Sequence, residues 1–395
     1  MHLTHLALTN FRNYTRLELD LPPGVTLLQG DNAQGKTSLL EAIHYLATGR
    51  APQAEVEREL INWLASDDPL PFAKVAAEVA HDHEVQRIEI TLLAANGSGQ
   101  TPGFRKQVRI NGVPRRAIDL VGTLRVVLFI PQDIDLVAGA PARRRRYLDV
   151  ALCQMNPLYC RALASYNQAL AQRNALLRTL RERGGDPQQL HFWDDQLAEH
   201  GARIIAERQR LIVALDLEAR ARHRALTDGR ELLRLQYLPS FAASPSPVAA
   251  PAGGALPSVD LTSISHAFAH HLRAASRRDL AAGMTLAGPH RDDLRFLVGE
   301  RDLRTYGSRG QQRTAALALK LAEVEVMTRE TGEPPVLLLD DVMSELDATR
   351  RQMLLGTLDR ATQAIITTTD WDDFTEEFRA QAHRLRVVGG KIEEV

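Results

Sequence analysis

The sequence predicts an α/β fold: a head of mixed and antiparallel strands, interrupted by an inserted helical arm. Three observations predict it. Residues 30–37, Gly-Asp-Asn-Ala-Gln-Gly-Lys-Thr, are a glycine-rich loop between a short apolar run and a helical one. Residues 335–341, Pro-Val-Leu-Leu-Leu-Asp-Asp, are an apolar run ending in two carboxylates. Between them, from about Pro141, apolar residues recur at helical spacing with few strand signals.

The loop fits the pattern G-x-x-x-x-G-K-[ST], with Gly30, Gly35, Lys36 and Thr37 at its defining positions. The context suits it: 24–29 reads as a strand and 38–46 as a helix. Glycine lets backbone wrap an anion, and the N–H groups from Asp31, Asn32, Ala33 and Gln34 through Ser38 are placed to face it. Lys36 brings a point charge to β- and γ-phosphates, and the Thr37 hydroxyl is placed to ligate Mg²⁺. A plain glycine-rich turn does not account for strand, loop, Lys-Thr and helix together.

Composition sets the bounds. The chain has 395 residues, 44% hydrophobic and 25% charged, which suits a soluble globular protein with two domains or one carrying a large insertion. A net charge of −1 neither argues for nor excludes nucleic acid, because basic patches hide in a balanced total. Lysine is confined to Lys36, Lys74, Lys106, Lys320 and Lys391, so arginine carries nearly all the positive charge. Cys153 and Cys160 form no C-x-x-C pair and read as buried or half-buried thiols of a reducing compartment. No run approaches the roughly 18 apolar residues of a membrane span, and no signal peptide opens the chain, so a cytoplasmic protein is expected.

In chain order, 3–8 and 15–21 read as a hairpin with Asn10-Phe11-Arg12-Asn13-Tyr14 at its turn. Arg12 either reaches the nucleotide or is a solvated turn arginine. A break follows at Gly49–Pro52, then strands at 73–80, 84–93 and 104–110, a turn at Asn111-Gly112 and a buried strand at 124–130. Gln132 ends that strand and is a candidate to sense Mg²⁺ or the attacking water. Arg143 to Arg146 open the arm. Leu163, Tyr166, Leu170, Leu177 and Leu180 share one spacing, and Leu197, Ile204, Leu211 and Leu215 another, across a break at 184–187. Two antiparallel helices on one seam would result. The arginine excess of 143–234 is either a solvated face or a surface that tracks a phosphate backbone. Residues 242–258, rich in Pro, Ala and Ser, read as a flexible excursion, and 260–280 as a helix. Hairpins are expected at 294–298 with 303–306 and at 384–388 with 391–394, a helix at 315–327, and a buried strand at 364–368. The head is therefore assigned to 1–140 and 285–395, and the arm to 141–284.

Leu337-Leu338-Leu339-Asp340-Asp341 complements the loop: Asp340 is placed to hold Mg²⁺, and Asp341 stands where an attacking water needs a base. Ser308-Arg309-Gly310-Gln311-Gln312 before a helix is a second anion site, a hydroxyl beside free N–H groups at a positive helix end. It resembles the signature motif of the ATP-binding-cassette superfamily, which faces the γ-phosphate held by the loop of a second copy. Ser344-Glu345-Leu346-Asp347 likewise resembles that superfamily's D-loop.

The long helical insertion between the two halves resembles the SMC-like branch. Within it, Asn10–Tyr14, Gly30–Thr37, Phe129–Asp133, Arg143–Asp149, Gly288-Pro289-His290-Arg291-Asp292-Asp293, Gly307–Thr314 and Leu339–Asp347 resemble the bacterial RecF family nearly end to end, short arm included. The resemblance implies an ABC-type head. It also implies a weak DNA-stimulated ATPase that binds ATP and Mg²⁺, closes as a homodimer on double-stranded DNA or gap junctions, and works with RecO and RecR to load RecA. By that carry-over Lys36, Thr37 and Asp340 bind phosphate and metal, Asp341 and Gln132 assist hydrolysis, and Ser308, Gly310 and Gln311 act in trans. Departures are Ala33 for a commoner glycine (harmless with negative φ), Gln132 for a frequent glutamate, and threonine at 367–369 where transporters carry a switch histidine. The competing readings are a transporter ATPase subunit, an SMC-like nuclease subunit and a clamp without significant hydrolysis. The first would bring a membrane partner and the second a longer coiled coil.

Overall fold

The computed structural model describes residues 1–52, 54, 56–65, 70–81, 84–95, 103–241 and 260–395. The excursion expected at 242–258 lies outside the described residues. Two compact units emerge, Met1–Pro131 with Met327–Val395, and Gln132–Val326. The second unit is larger than the arm expected from sequence, because 285–326 groups with the helices.

The first unit holds two six-stranded sheets. One is antiparallel, in the order β2-β1-β4-β5-β6-β7: β1 (His2–Phe11), β2 (Tyr14–Asp20), β4 (Phe72–Ala80), β5 (Val85–Ala95), β6 (Gly103–Ile110) and β7 (Val113–Arg115). From Leu17 to Asp20 of β2 buried and exposed residues alternate, as on a sheet with one solvated face. The other sheet runs β15-β14-β3-β13-β12-β8, from β3 (Gly24–Gln29), β8 (Val126–Phe129), β12 (Val336–Asp340), β13 (Gln363–Thr368), β14 (His383–Val388) and β15 (Lys391–Glu394). It is parallel except for β15. Every residue of β12 and β13 is buried, the pattern of strands covered on both faces.

Helix α1 (Lys36–Thr48) contacts strands of both sheets and is buried nearly all round, polar Lys36, Glu41 and His44 included. Gly49, at φ 66, caps it and makes the expected break. Gln363 stitches the sheets together: its amide accepts from Leu3 N and donates to Leu3 O, each at 2.8 Å, where the pairing of β1 with β4 shifts register. Short helices α2 (Ala117–Leu120), α10 (Ala348–Leu358) and α11 (Glu376–Gln381) complete the unit. The strands and turns expected here form, with the first hairpin's turn tightened to Arg12-Asn13.

The second unit contains α3 (Asp135–Ala138), α4 (Pro141–Met155), α5 (Pro157–Arg183), α6 (Leu190–Leu226) and α7 (Leu261–Ala282). It also holds β9 (Leu233–Leu238), β10 (Asp293–Val298), β11 (Arg301–Asp302), α8 (Leu303–Tyr306) and all but the last turn of α9 (Arg309–Thr331). Asn156 ends α4 and starts α5, its side chain accepting from the N–H groups of Leu158 and Tyr159. The arm has three packed helices rather than two, since α7 lies against α5 and α6. Leu163 and Leu170 are only half-buried. The seam of α5 is Tyr159, Ala162, Tyr166, Ala169, Arg173, Leu177 and Leu180, where small residues let the helices approach. The sequence reading missed β9, which pairs with β10, and 303–306 is a helical turn because Asp302 caps it by accepting from Arg304 N. Helix α9 starts at Arg309, six residues before the expected 315.

Candidate nucleotide site

Loop 30–37 leaves β3 and enters α1 inside the first unit, and its shape is imposed from two sides. Asn13 Nδ2 donates to Gln34 O at 2.9 Å, Gly390 N donates to the same oxygen at 3.0 Å, and Tyr14 OH donates to Gly35 O at 3.0 Å. With those carbonyls drawn to the β1–β2 and β14–β15 turns, the loop is set to turn its N–H groups the other way. Leu39 is the first residue of α1 bonded back, to Gly35 O, so the N–H groups of Lys36, Thr37 and Ser38 have no intrahelical acceptor. Gly35 needs its glycine: φ is 120, and a Cβ would strike Asn13 and the Tyr14 hydroxyl. At Gly30 a Cβ would strike the Val387 carbonyl.

Ala33 corrects an expectation. Its φ is 64, in the left-handed region, so alanine is strained where glycine would not be. Asp31, Asn32 and Ala33 are exposed at the loop tip. Lys36 is buried and donates to the carbonyls of Gly30 and Asp31. Burial pulls its pKa down, against the opposing pull of Asp341, Asp340 and Asp31.

The two halves of the motif meet directly. Thr37 Oγ1 donates to Asp340 Oδ1 at 3.0 Å, and Thr367 Oγ1 donates to the same oxygen at 3.0 Å. Thr367 is the register partner of Asp340 on β13, and it also accepts from Asp341 N at 2.9 Å. The sequence reading treated Thr367 only as part of a missing-histidine stretch; its pairing across the sheet is what singles it out. Burial raises the Asp340 pKa even with two hydroxyl donors in place. Asp341 turns out of β12 at φ 52, and burial raises its pKa too, offset by Lys36 and reinforced by Asp373. Its Oδ1 is shielded without a hydrogen-bond partner. Two under-compensated carboxylates beside a hydroxyl are the hard-oxygen donor set that Mg²⁺ accepts together with phosphate.

Arg12 is neither a solvated turn residue nor idle. Its Nε and Nη2 donate to both oxygens of buried Glu41 on α1, at 2.7 and 2.9 Å, and Nη1 donates to Glu59 O. It clamps the hairpin to the loop's helix.

Gln132, Ser308, Gly310 and Gln311 fall in the second unit. Gln132 is exposed in a 3₁₀ turn. Ser308 and Gln311 form a reciprocal capping box on α9: Gln311 N donates to Ser308 Oγ at 3.2 Å, and Ser308 N to Gln311 Oε1 at 2.9 Å. Ser308 and Gly310 are exposed, and open space surrounds Gly310 but for the Ser308 hydroxyl.

The arginine-rich stretch has a reading that sequence did not supply. Arg144, Arg173 and Arg208 are buried, against Asp293, against Asp194 with Asp279, and against Asp149. The 288–293 motif is a packing hub in this unit. Pro289 O accepts from Arg208, and His290 Nδ1 lies 2.7 Å from the Tyr166 hydroxyl. Asp292 accepts from Tyr237 OH and from Ser240 N.

Fold and site together define a P-loop ATPase of the ATP-binding-cassette type, with the loop on β3–α1 and the Asp340 carboxylate at the end of β12. The RecF/RecN/SMC N-terminal domain family matches residues 2–388. A DNA replication and repair protein RecF of Herpetosiphon aurantiacus is 47% identical over 99% of both chains. A solved recombination mediator protein RecF-ATP of the RecFOR pathway aligns with TM-score 0.84 and 32% identity, over 100% of this chain and 97% of that one. An Smc head domain from Pyrococcus furiosus, at 15% identity and TM-score 0.51 over 100% and 96%, is alike in fold alone. The chain belongs to the RecF family of DNA replication and repair proteins. No described helix is long and apolar enough to cross a membrane.

Proposed function

We propose that this chain is an ATP-switched DNA-binding recombination mediator, in which ATP closes a homodimer on DNA and slow hydrolysis releases it. The observation that carries this reading is the bond from Thr37 to Asp340 at 3.0 Å, which joins the two sequence-distant halves of the motif. The relative described as RecF-ATP supports ATP as the nucleotide.

Lys36 and the N–H groups that open α1 hold the phosphates, and Thr37 with Asp340 holds Mg²⁺, which when bound neutralises phosphate charge. Asp341, its carboxyl pKa raised by burial, takes the proton of the attacking water, and Gln132 serves as a second orienting group. Ser308 and Gly310 of a second copy supply a hydroxyl and N–H groups to the γ-phosphate. The exposed arginines bind duplex or gap-junction phosphates without base preference, so affinity falls steeply with salt. With RecO- and RecR-type partners the closed dimer assists RecA loading.

ATP hydrolysis measured with and without double-stranded DNA tests the reading. Stimulation by DNA is expected in the native chain and is lost in Lys36→Met and Asp341→Asn. Dimers that need ATP persist in Asp341→Asn and vanish in Ser308→Arg. Self-association indifferent to ATP would sink the switch.

A further inference from the structure

The Ser308 hydroxyl is aimed by Gln311, and Gln311 is itself held from elsewhere in the second unit. Its side-chain oxygen accepts from Ser308 N at 2.9 Å, and its backbone N–H donates to Ser308 Oγ at 3.2 Å. Its side-chain NH₂ donates to Glu231 Oε1 at 2.7 Å. A glutamine amide has a donating and an accepting end, and an ionised carboxylate only accepts. Glu231 therefore captures the NH₂ end and leaves the oxygen end for Ser308 N–H. The other carboxylate oxygen, Oε2, accepts no hydrogen bond and lies 3.8 Å from Nε2 of buried His223, so Gln311 is the hydrogen-bond donor to this carboxylate.

Glu231 sits where the 37-residue α6 ends. After Leu226 the chain reverses through Asp228 and Gly229 at φ 50 and 74, with Gly229 N donating to Arg224 O at 2.8 Å and Arg230 N to Thr227 O at 3.0 Å. A left-handed cap of this kind fixes the following residue against the last helical turn. Further back on α6, Arg222 pairs with Glu325 of α9 at 2.6 Å. The end of α6 thus grips α9 at its first turn and again farther along it.

We propose that Glu231 is a positioning residue for the signature serine: α6 places Glu231, Glu231 sets Gln311, and Gln311 aims Ser308 at the terminal phosphate of a nucleoside triphosphate held by a second copy. A shift of this arm helix is thereby converted into gain or loss of a phosphate ligand. The proposal rests on the reading of Ser308 given above.

The test uses the full chain with Glu231→Ala and Glu231→Gln, because glutamine still offers a carbonyl oxygen to Gln311. Glu231→Ala is expected to weaken ATP-dependent self-association and slow turnover, each by about 10-fold, the scale of losing one hydrogen bond to a charged group. Binding of a fluorescent ATP analogue to dilute protein stays at the native level, and Glu231→Gln recovers both properties. Amide hydrogen exchange in nucleotide-free protein reads the latch without a dimer: the Ser308 and Gln311 amides exchange faster in Glu231→Ala and stay slow in Glu231→Gln. Unchanged exchange in Glu231→Ala overturns the proposal, as does a Glu231→Gln variant that behaves like the alanine one. If exchange shifts as expected but the native chain never associates with ATP, the trans reading of Ser308 fails and the latch on the helix start stands.

Discussion

In the first unit the phosphate loop and its carboxylates are held by hydroxyls, carbonyls and left-handed backbone, whereas the second unit's helices are held by arginines buried against aspartates. Among the described residues, Asn10, Arg12, Ala33, Asn111 and Asp341 of the first unit take positive φ without being glycine, against Asp228 alone in the second. Three of those five lie in the site or against its helix, where sheet packing over-determines the backbone. Strain of this kind persists where the surroundings enforce it, and it aims groups at a ligand. The second unit adds ion pairs with both partners fully buried in its core. Arg173 has no exposed surface and reaches Asp194, Asp279 and Thr285 together. The difference teaches that one region is built to present polar groups and the other to lock a packing arrangement.

The largest effect that would sharpen this contrast is chemical. Lys36→Met is expected to lower ATP turnover by on the order of 10²-fold or more, the scale for removing a placed charge from a transferring phosphoryl group. The melting behaviour of the second unit should be unmoved, which differential scanning calorimetry checks. Next comes the buried arginine. Arg173→Met leaves Asp194 and Asp279 without their cation and should cost about 3–5 kcal/mol in chemical denaturation. Adding Asp194→Leu and Asp279→Leu should recover most of that loss. A cheap single substitution would mean that the arginine is not a lock.

His290 gives the contrast a pH signature. Burial pushes it down to about 4, below the ordinary histidine value near 6.5, so between those values the unfolded chain takes up a proton that the folded chain refuses. Stability is therefore complete above about 6.5 and falls by on the order of 3 kcal/mol as pH drops toward 4. His290→Gln should flatten that slope in a denaturation series. The smallest effect is at the loop tip: Ala33→Gly relieves a left-handed alanine and should add about 1 kcal/mol to the first unit.

The first unit was largely legible from sequence because its signals are local. Strand alternation, Asn111-Gly112, Gly49 and the loop motif each act within a few residues. Of the candidate site, the motifs anticipated that Thr37 meets Asp340 with Lys36 and Asp341 nearby. The site was not legible for Thr367 or Glu41, whose parts depend on which residue lies opposite in the fold. The second unit misled more. Arginine in a helical pattern reads as surface, and nothing local in Arg144, Arg173 or Arg208 announces an aspartate waiting in the core. Strand β9 was missed for a similar reason, since six residues after a long helix carry little signal until β10 pairs with them.

The central claim is that the loop at Gly30–Thr37 is half of a site and that Ser308 of another copy completes it. Mixing Lys36→Met with Ser308→Arg tests this directly, because a heterodimer pairs an intact loop from one variant with an intact signature from the other. ATP turnover in the mixture is expected to rise well above the sum of the two inactive variants. Turnover that never exceeds that sum at any mixing ratio would contradict the account.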